Sequence, residues 1–165
     1  MKHVYLISGP MGVGKTTVCQ QLKLDRPDCV FLDGDWCWDA NPFHVTDETK
    51  RMVIGNICHL LGSFIRCSAY ENVVFCWVMH EQSIIDDIVS RLDLSGCRLH
   101  TISLTASESA LRSRLTADIE RGIRQPDVIG RSLARLPLYR QLHTVHIDTT
   151  GKSVQDVASE IAALP

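Results

Sequence analysis

The segment Gly9-Pro10-Met11-Gly12-Val13-Gly14-Lys15-Thr16 constrains everything around it. It fits the spacing G-x-x-x-x-G-K-[ST] at every fixed position. Glycine has no Cβ, so successive backbone N–H groups can turn inward around an anion. A helix opening at Lys15 aims its positive dipole end at the same point. This is the chemistry of a loop that cradles phosphate oxygens. Lys15 is expected to reach the β- and γ-phosphates and Thr16 to hold Mg²⁺. The expected nucleotide-binding set is Gly9, Pro10, Met11, Gly12, Val13, Gly14, Lys15, Thr16 and Thr17.

The flanks have the order this loop requires. His3-Val4-Tyr5-Leu6-Ile7-Ser8 is a short apolar run of strand formers, and Lys15 to Leu24 places Val18, Cys19 and Leu22 at helical spacing. Strand-like runs occur at Val4–Ser8, Cys29–Asp33, Val73–Met79, Leu99–Leu104 and Thr144–Asp148. Helical patterns alternate with them at Lys15–Leu24, Asp47–Ala69, Gln82–Leu92, Ser107–Glu120, Val128–Gln141 and Ser153–Leu164. The alternation predicts an α/β fold: a parallel sheet covered on both faces, with right-handed crossovers. Ligands in such a sheet bind beyond the carboxyl ends of the strands.

Length and charge bound the partners. A chain of 165 residues, 45% hydrophobic, predicts one domain spanning 1–165. No apolar run is long enough to span a membrane, and the chain enters its first strand without a signal-peptide pattern. Seven cysteines without a C-x-x-C pair read as reduced thiols, several of them buried, which predicts a cytoplasmic protein without structural zinc. A net charge of −2 argues against bulk binding to nucleic acid. The charge is unevenly spread. Seven of twelve arginines lie between 112 and 140, against only Asp118, Glu120 and Asp127, a local net of +4. That cluster is either a solvated helix face or an anion-binding surface beside the phosphate loop.

Strand two ends in Leu32-Asp33-Gly34-Asp35, where two carboxylates at i and i+2 point to one side. Asp33 is read as holding Mg²⁺, directly or through water, and Asp35 as facing an acceptor hydroxyl. The alternative is an Asp-Gly turn with no further role. The following stretch, Trp36 to Phe43, is aromatic and irregular. It is either a loop tucked onto the core or a wall of the acceptor pocket, with Trp36 as the candidate contact. His80, at the end of strand three, faces acceptor or metal-bound water, or simply caps the strand.

The phosphate loop near the N-terminus, Asp-x-Asp after strand two and the arginine-rich segment before strand five resemble the small P-loop kinases. That group includes shikimate kinase, gluconate kinase, chloramphenicol phosphotransferase and the nucleoside monophosphate kinases. The resemblance implies a three-layer α/β/α sandwich with strand order 2-3-1-4-5, an arginine-rich lid at about 121–136, ATP as donor and Mg²⁺ as cofactor. It places Arg114 against adenine, Thr150 near the adenine ring, and Arg121 and Arg124 over the phosphates as catalytic cations. Arg135-Leu136-Pro137-Leu138-Tyr139 is similar to a shikimate kinase segment whose arginine binds an anionic group of the substrate. The chain lacks that family's glycine triplet after strand three, reading Cys76-Trp77-Val78-Met79-His80-Glu81, which argues against shikimate itself.

The function expected is transfer of the γ-phosphoryl group of ATP to a hydroxyl of a small molecule: a metabolite, a nucleoside-like compound or an antibiotic. The alternatives are a nucleoside monophosphate kinase and a nucleotide-binding switch. Asp35 suits a hydroxyl acceptor better than a phosphate, and no Asn-Lys-x-Asp motif marks a GTPase.

Overall fold

Strand β1 (Lys2–Ser8) is the centre of the computed structural model, which describes all residues from Met1 to Pro165. Its last five residues are buried, as an apolar strand covered on both faces requires. On one side lie β3 (Asn72–Trp77) and then β2 (Cys29–Asp33). On the other lie β4 (Cys97–Thr105) and then β5 (Val145–Asp148). The order is β2-β3-β1-β4-β5 with every pair parallel, as the resemblance implies.

Side-chain alternation divides the core in two. Tyr5, Ile7, Val74 and Ile102 face one way, beneath helices α1 (Lys15–Asp25), α4 (Glu108–Glu120), α5 (Val128–Tyr139) and α6 (Val154–Ala162). Val4, Leu6, Val73 and Phe75 face the other, beneath α2 (Asp47–Arg66) and α3 (Gln82–Ser90). Helix, sheet and helix make the three expected layers.

Most element boundaries differ from the sequence reading by one to three residues, and two of the shifts, with a turn the reading did not give, have a visible local reason. Helix α2 stops at Arg66 instead of Ala69 because Lys2 Nζ donates to the carbonyls of Phe64 at 3.3 Å and Cys67 at 2.7 Å. A lysine on the last carbonyls of a helix satisfies acceptors that have no helical partner. Strand β3 stops at Trp77 instead of Met79, where the His80 N–H turns back to Val78 O at 3.0 Å. The segment after Asp33 is one turn of 3-10 helix, Gly34–Cys37.

Register then sets the site. Ser8 pairs with Trp77 and with Ser103, and Asp33 pairs with Cys76. The phosphate loop, the Asp33 turn and Trp77 therefore leave the sheet side by side at its carboxyl edge.

Candidate active site

The phosphate loop closes on itself. Gly12 has φ 84°, and a Cβ there would lie 2.7 Å from Leu115 Cγ, so only glycine fits. Lys15 Nζ donates to the carbonyls of Gly9 at 2.7 Å and Pro10 at 3.0 Å. Burial lowers the Lys15 pKa; Cys76, Asp35 and Asp33 oppose that shift and Arg124 adds to it. Helix α5 is fastened to the same loop by Ser132, only 1% exposed, whose hydroxyl donates to Met11 O at 2.7 Å.

The Thr16 hydroxyl donates to Asp33 Oδ2 at 2.6 Å, and Asp33 Oδ1 accepts from the Asp35 N–H at 3.0 Å. One buried carboxylate thus joins the first turn of α1 to the start of the 3-10 turn. A hydroxyl and a carboxylate beside the phosphate loop are hard oxygen donors. Mg²⁺ is commonly held by one or two carboxylates together with phosphate oxygens and water, so this pair fits the ion. No group of three or more His, Cys, Asp or Glu side chains gathers elsewhere to hold a metal by itself.

Asp35 is exposed as a residue and borders the cleft. Its pKa is raised, first by loss of surrounding water and then by the charge of Asp33, while Lys15, the Trp77 indole N–H and Arg124 pull it down. Gly34 is what allows this crowding. A Cβ on it would lie 2.5 Å from Trp77 Cδ1 and 2.9 Å from Trp77 Cβ.

Two cavities meet at Asp35. The first, about 540 Å³, is polar and is lined by Lys15, Thr16, Thr17, Asp33, Arg114, Arg121 and Arg124 together with Met11, Gly12 and Gly14. Arg114 spans its floor: Nη1 donates to Val13 O at 3.2 Å and Thr149 Oγ1 at 2.9 Å, and Nη2 to Thr149 O at 3.0 Å. It thereby ties the phosphate loop to the segment after β5. Arg124 pairs with Asp118 at 3.2 Å, and Arg121 has no carboxylate partner.

The second cavity, about 450 Å³, is mostly apolar and includes His80 and Arg135. Asp35, Met11, Trp77 and Val78 border both. The His80 ring lies with Nδ1 3.2 Å from Val78 O and Nε2 3.5 Å from Glu81 Oε1.

Two sequence-derived site residues lie elsewhere. Trp36 is 59% exposed and borders neither cavity; its ring packs edge-on against Phe31, 5.2 Å away. Trp38 takes the place on the wall, stacked on Phe43 at 4.1 Å. The 3-10 turn causes the exchange, since it rotates consecutive side chains by about a third of a circle. Thr150 is also off the cavity: its hydroxyl accepts from the Ser107 N–H at 2.8 Å and its own N–H bonds Asp148 at 2.9 Å. Gly9, Pro10 and Val13 lie behind the lining, where their carbonyls hold Lys15 and Arg114. The sequence reading missed Trp77, Asp118 and Ser132. Trp77 carried a usable signal, as a bulky strand-end residue next to the cleft.

Several known proteins share this architecture. The tunicamycin resistance protein of Deinococcus radiodurans superposes with a TM-score of 0.75 at 24% identity, covering 99% of this chain and 95% of that one. A gluconokinase from Sinorhizobium meliloti gives 0.70 at 22% identity, covering 98% and 90%. The shikimate kinase of Acinetobacter baumannii, in complex with shikimate, gives 0.61 at 22%, covering 98% and 91%. At these identities the likeness is one of fold. Among curated proteins, the cytochrome c biogenesis ATP-binding export protein CcmA of Photobacterium profundum is 28% identical over 123 residues, 71% of this chain and 55% of that protein. The chain thus spans about half the length of that relative. The sequence profile of the family described as AAA domain matches residues 6–132, from the end of β1 into α5, and the chain belongs to that family.

Proposed function

We propose that the protein is an ATP- and Mg²⁺-dependent phosphotransferase acting on a hydroxyl of a small molecule. The observation that carries this reading is the position of Asp35, a carboxylate on the shared border of a polar cavity at the phosphate loop and an apolar one beside it. A hydrolytic switch needs no second cavity there. The gluconokinase and shikimate kinase that share the fold add support.

In this reading the polar cavity takes ATP. Backbone N–H groups of Gly12 to Thr16 hold its phosphates, and Arg114 lies under the base. Lys15 leaves the Gly9 and Pro10 carbonyls to meet the β- and γ-phosphates. Thr16 and Asp33 would hold Mg²⁺, which would supply neutralisation of the phosphate charge. Asp35 accepts the proton of the acceptor hydroxyl. The oxygen–phosphorus bond to the acceptor then forms as the bond from γ-phosphorus to the β,γ-bridging oxygen breaks, and ADP leaves with that electron pair. Arg121 and Arg124 stabilise the charge on the transferring group as the segment 121–127 between α4 and α5 closes over it, α5 itself being packed into the core from Val128 onward. Arg135 and His80 contact the acceptor. The seven thiols are unpaired, which supports a reducing, cytoplasmic setting.

The test is acceptor-dependent ADP release across hydroxylated metabolites, nucleosides, nucleoside monophosphates and antibiotics. Asp35→Asn is expected to reduce it by about 10²–10⁴-fold with ATP affinity unchanged, the range for losing a general base. Stimulation only by monophosphates, indifferent to that substitution, would refute hydroxyl transfer.

A further inference from the structure

The second cavity is poorly equipped for a polyol. Nine of its fifteen lining residues are apolar, and Val53, Ile54 and Ile84 face the Trp38 and Phe43 wall. Two of its cations, Lys50 and Arg131, are exposed and turn to exposed carboxylates beside them. Arg131 pairs with Asp127 at 3.0 Å, Lys50 lies 3.9 Å from Asp47, and Asp35 is directed to the reacting hydroxyl in the reading above. Arg135 is the cation there without a carboxylate partner. A polyol entering this space would bury several hydroxyls with few donors or acceptors to meet them. Each one left unpaired costs about tenfold in affinity or more.

The wall is also held in place. Asn56 Nδ2 donates to Cys37 O at 3.1 Å, anchoring the residue before Trp38 to α2. At the other end Thr46 and Thr49 form a reciprocal capping box that fixes how the chain enters α2. Between these anchors, Trp38 and Phe43 stack with planes 29° apart. Yet Phe43 is 57% exposed and Val45 is 59% exposed, both on the cavity rim. Large apolar groups kept in water at the mouth of an apolar cavity mark a surface for an apolar ligand to cover.

We infer that the acceptor is an alcohol with an apolar body, an aryl ring or short alkyl chain, selected over polyols by Trp38 and Phe43. This rests on the phosphotransferase reading: the hydroxyl sits at Asp35 and the body lies against Trp38 and Phe43. The transfer is that written above, with the hydroxyl proton passing to Asp35.

The experiment pairs binding with turnover. Intrinsic tryptophan fluorescence is titrated with 2-phenylethanol, 3-phenylpropane-1,2-diol and 1-hexanol, and in parallel with glycerol and gluconate. ADP release is measured with the same compounds. The apolar alcohols are expected to bind at least about tenfold more tightly than the polyols. Phe43→Ala, at an exposed position, is expected to weaken their binding about tenfold and raise KM while kcat stays within about threefold. Trp38→Phe should restore most of what Trp38→Ala loses, and polyol binding should not respond. Tighter binding of gluconate, or apolar binding indifferent to Phe43→Ala, overturns the inference. Apolar binding that responds to Phe43→Ala, with no ADP release from any compound, upholds the selectivity and refutes the transfer reading.

Discussion

Gly34→Ala isolates the contact on which the cleft is built. The added Cβ would sit 2.5 Å from Trp77 Cδ1 and 2.9 Å from Trp77 Cβ, where ordinary contact begins near 3.4 Å. Rotating the indole relieves the first clash but not the second, because Trp77 Cβ is fixed to β3. The 3-10 turn and β3 must therefore separate by roughly half an ångström to 1 Å. Overpacking of this kind costs about 1–3 kcal/mol. For a chain of this size, about 2 kcal/mol lowers Tm by about 4–8 °C. The turn carries Asp35, and a displacement of about 1 Å in a reacting group can cost about 100-fold in kcat. Thermal denaturation checks the first figure without any acceptor, and ADP release checks the second. Trp77→Gly supplies the control, since it removes both the indole and the Cβ that the added methyl would meet. In that background Gly34→Ala should destabilise by less. Wild-type Tm and kcat in the single variant, or equal loss in both backgrounds, would refute the steric argument.

Two pH dependences follow from the same geometry. Asp35 has a raised pKa, so the acid limb of kcat/KM should lie above the ordinary carboxylate value of 3.8 and vanish in Asp35→Asn. The raised value means the folded state holds the proton more tightly. Asp35 therefore costs stability as pH rises through its folded pKa, and Asp35→Asn should gain Tm at neutral pH but not below 3.8. At the opposite edge of the sheet, His3 Nδ1 and His100 Nε2 lie 3.0 Å apart beside Tyr5, with Arg26, Arg98 and the N-terminal amine nearby. Burial and these positive groups lower both histidine pKa values. Their contribution is complete above 6.5 and is lost as pH falls toward the folded values. Tm should drop as pH falls from 6.5 to about 5, and His100→Gln should flatten that drop.

The fold was legible because its signals are local. The glycine spacing at 9–16, the apolar runs and the helical stripes each report on neighbouring residues, and the strand and helix content follows from them. The convergence of Lys15, Asp33 and Asp35 was legible for a related reason: strand ends in a parallel sheet share one edge. Side-chain direction after a strand end was not. Whether Trp36 or Trp38 faces the cleft depends on the 3-10 turn, which Asp33 nucleates by accepting the Asp35 N–H. Arg114 could be placed by resemblance, but its three hydrogen bonds join residues 101 and 35 positions away. The Ser132 bond to Met11 spans 121 positions and leaves no local trace in the sequence.

That last bond has a thermodynamic consequence. Met11 borders both cavities, and its carbonyl is held by a helix whose Arg131 and Arg135 face only the second. Any shift of the loop on taking up phosphate is passed to α5, and any shift of α5 around a ligand is returned to the loop. The free energy of this coupling has one value whichever ligand arrives first. If the donor sharpens affinity for the acceptor by some factor, the acceptor sharpens affinity for the donor by the same factor, and cutting the Ser132 tether should shrink both factors together.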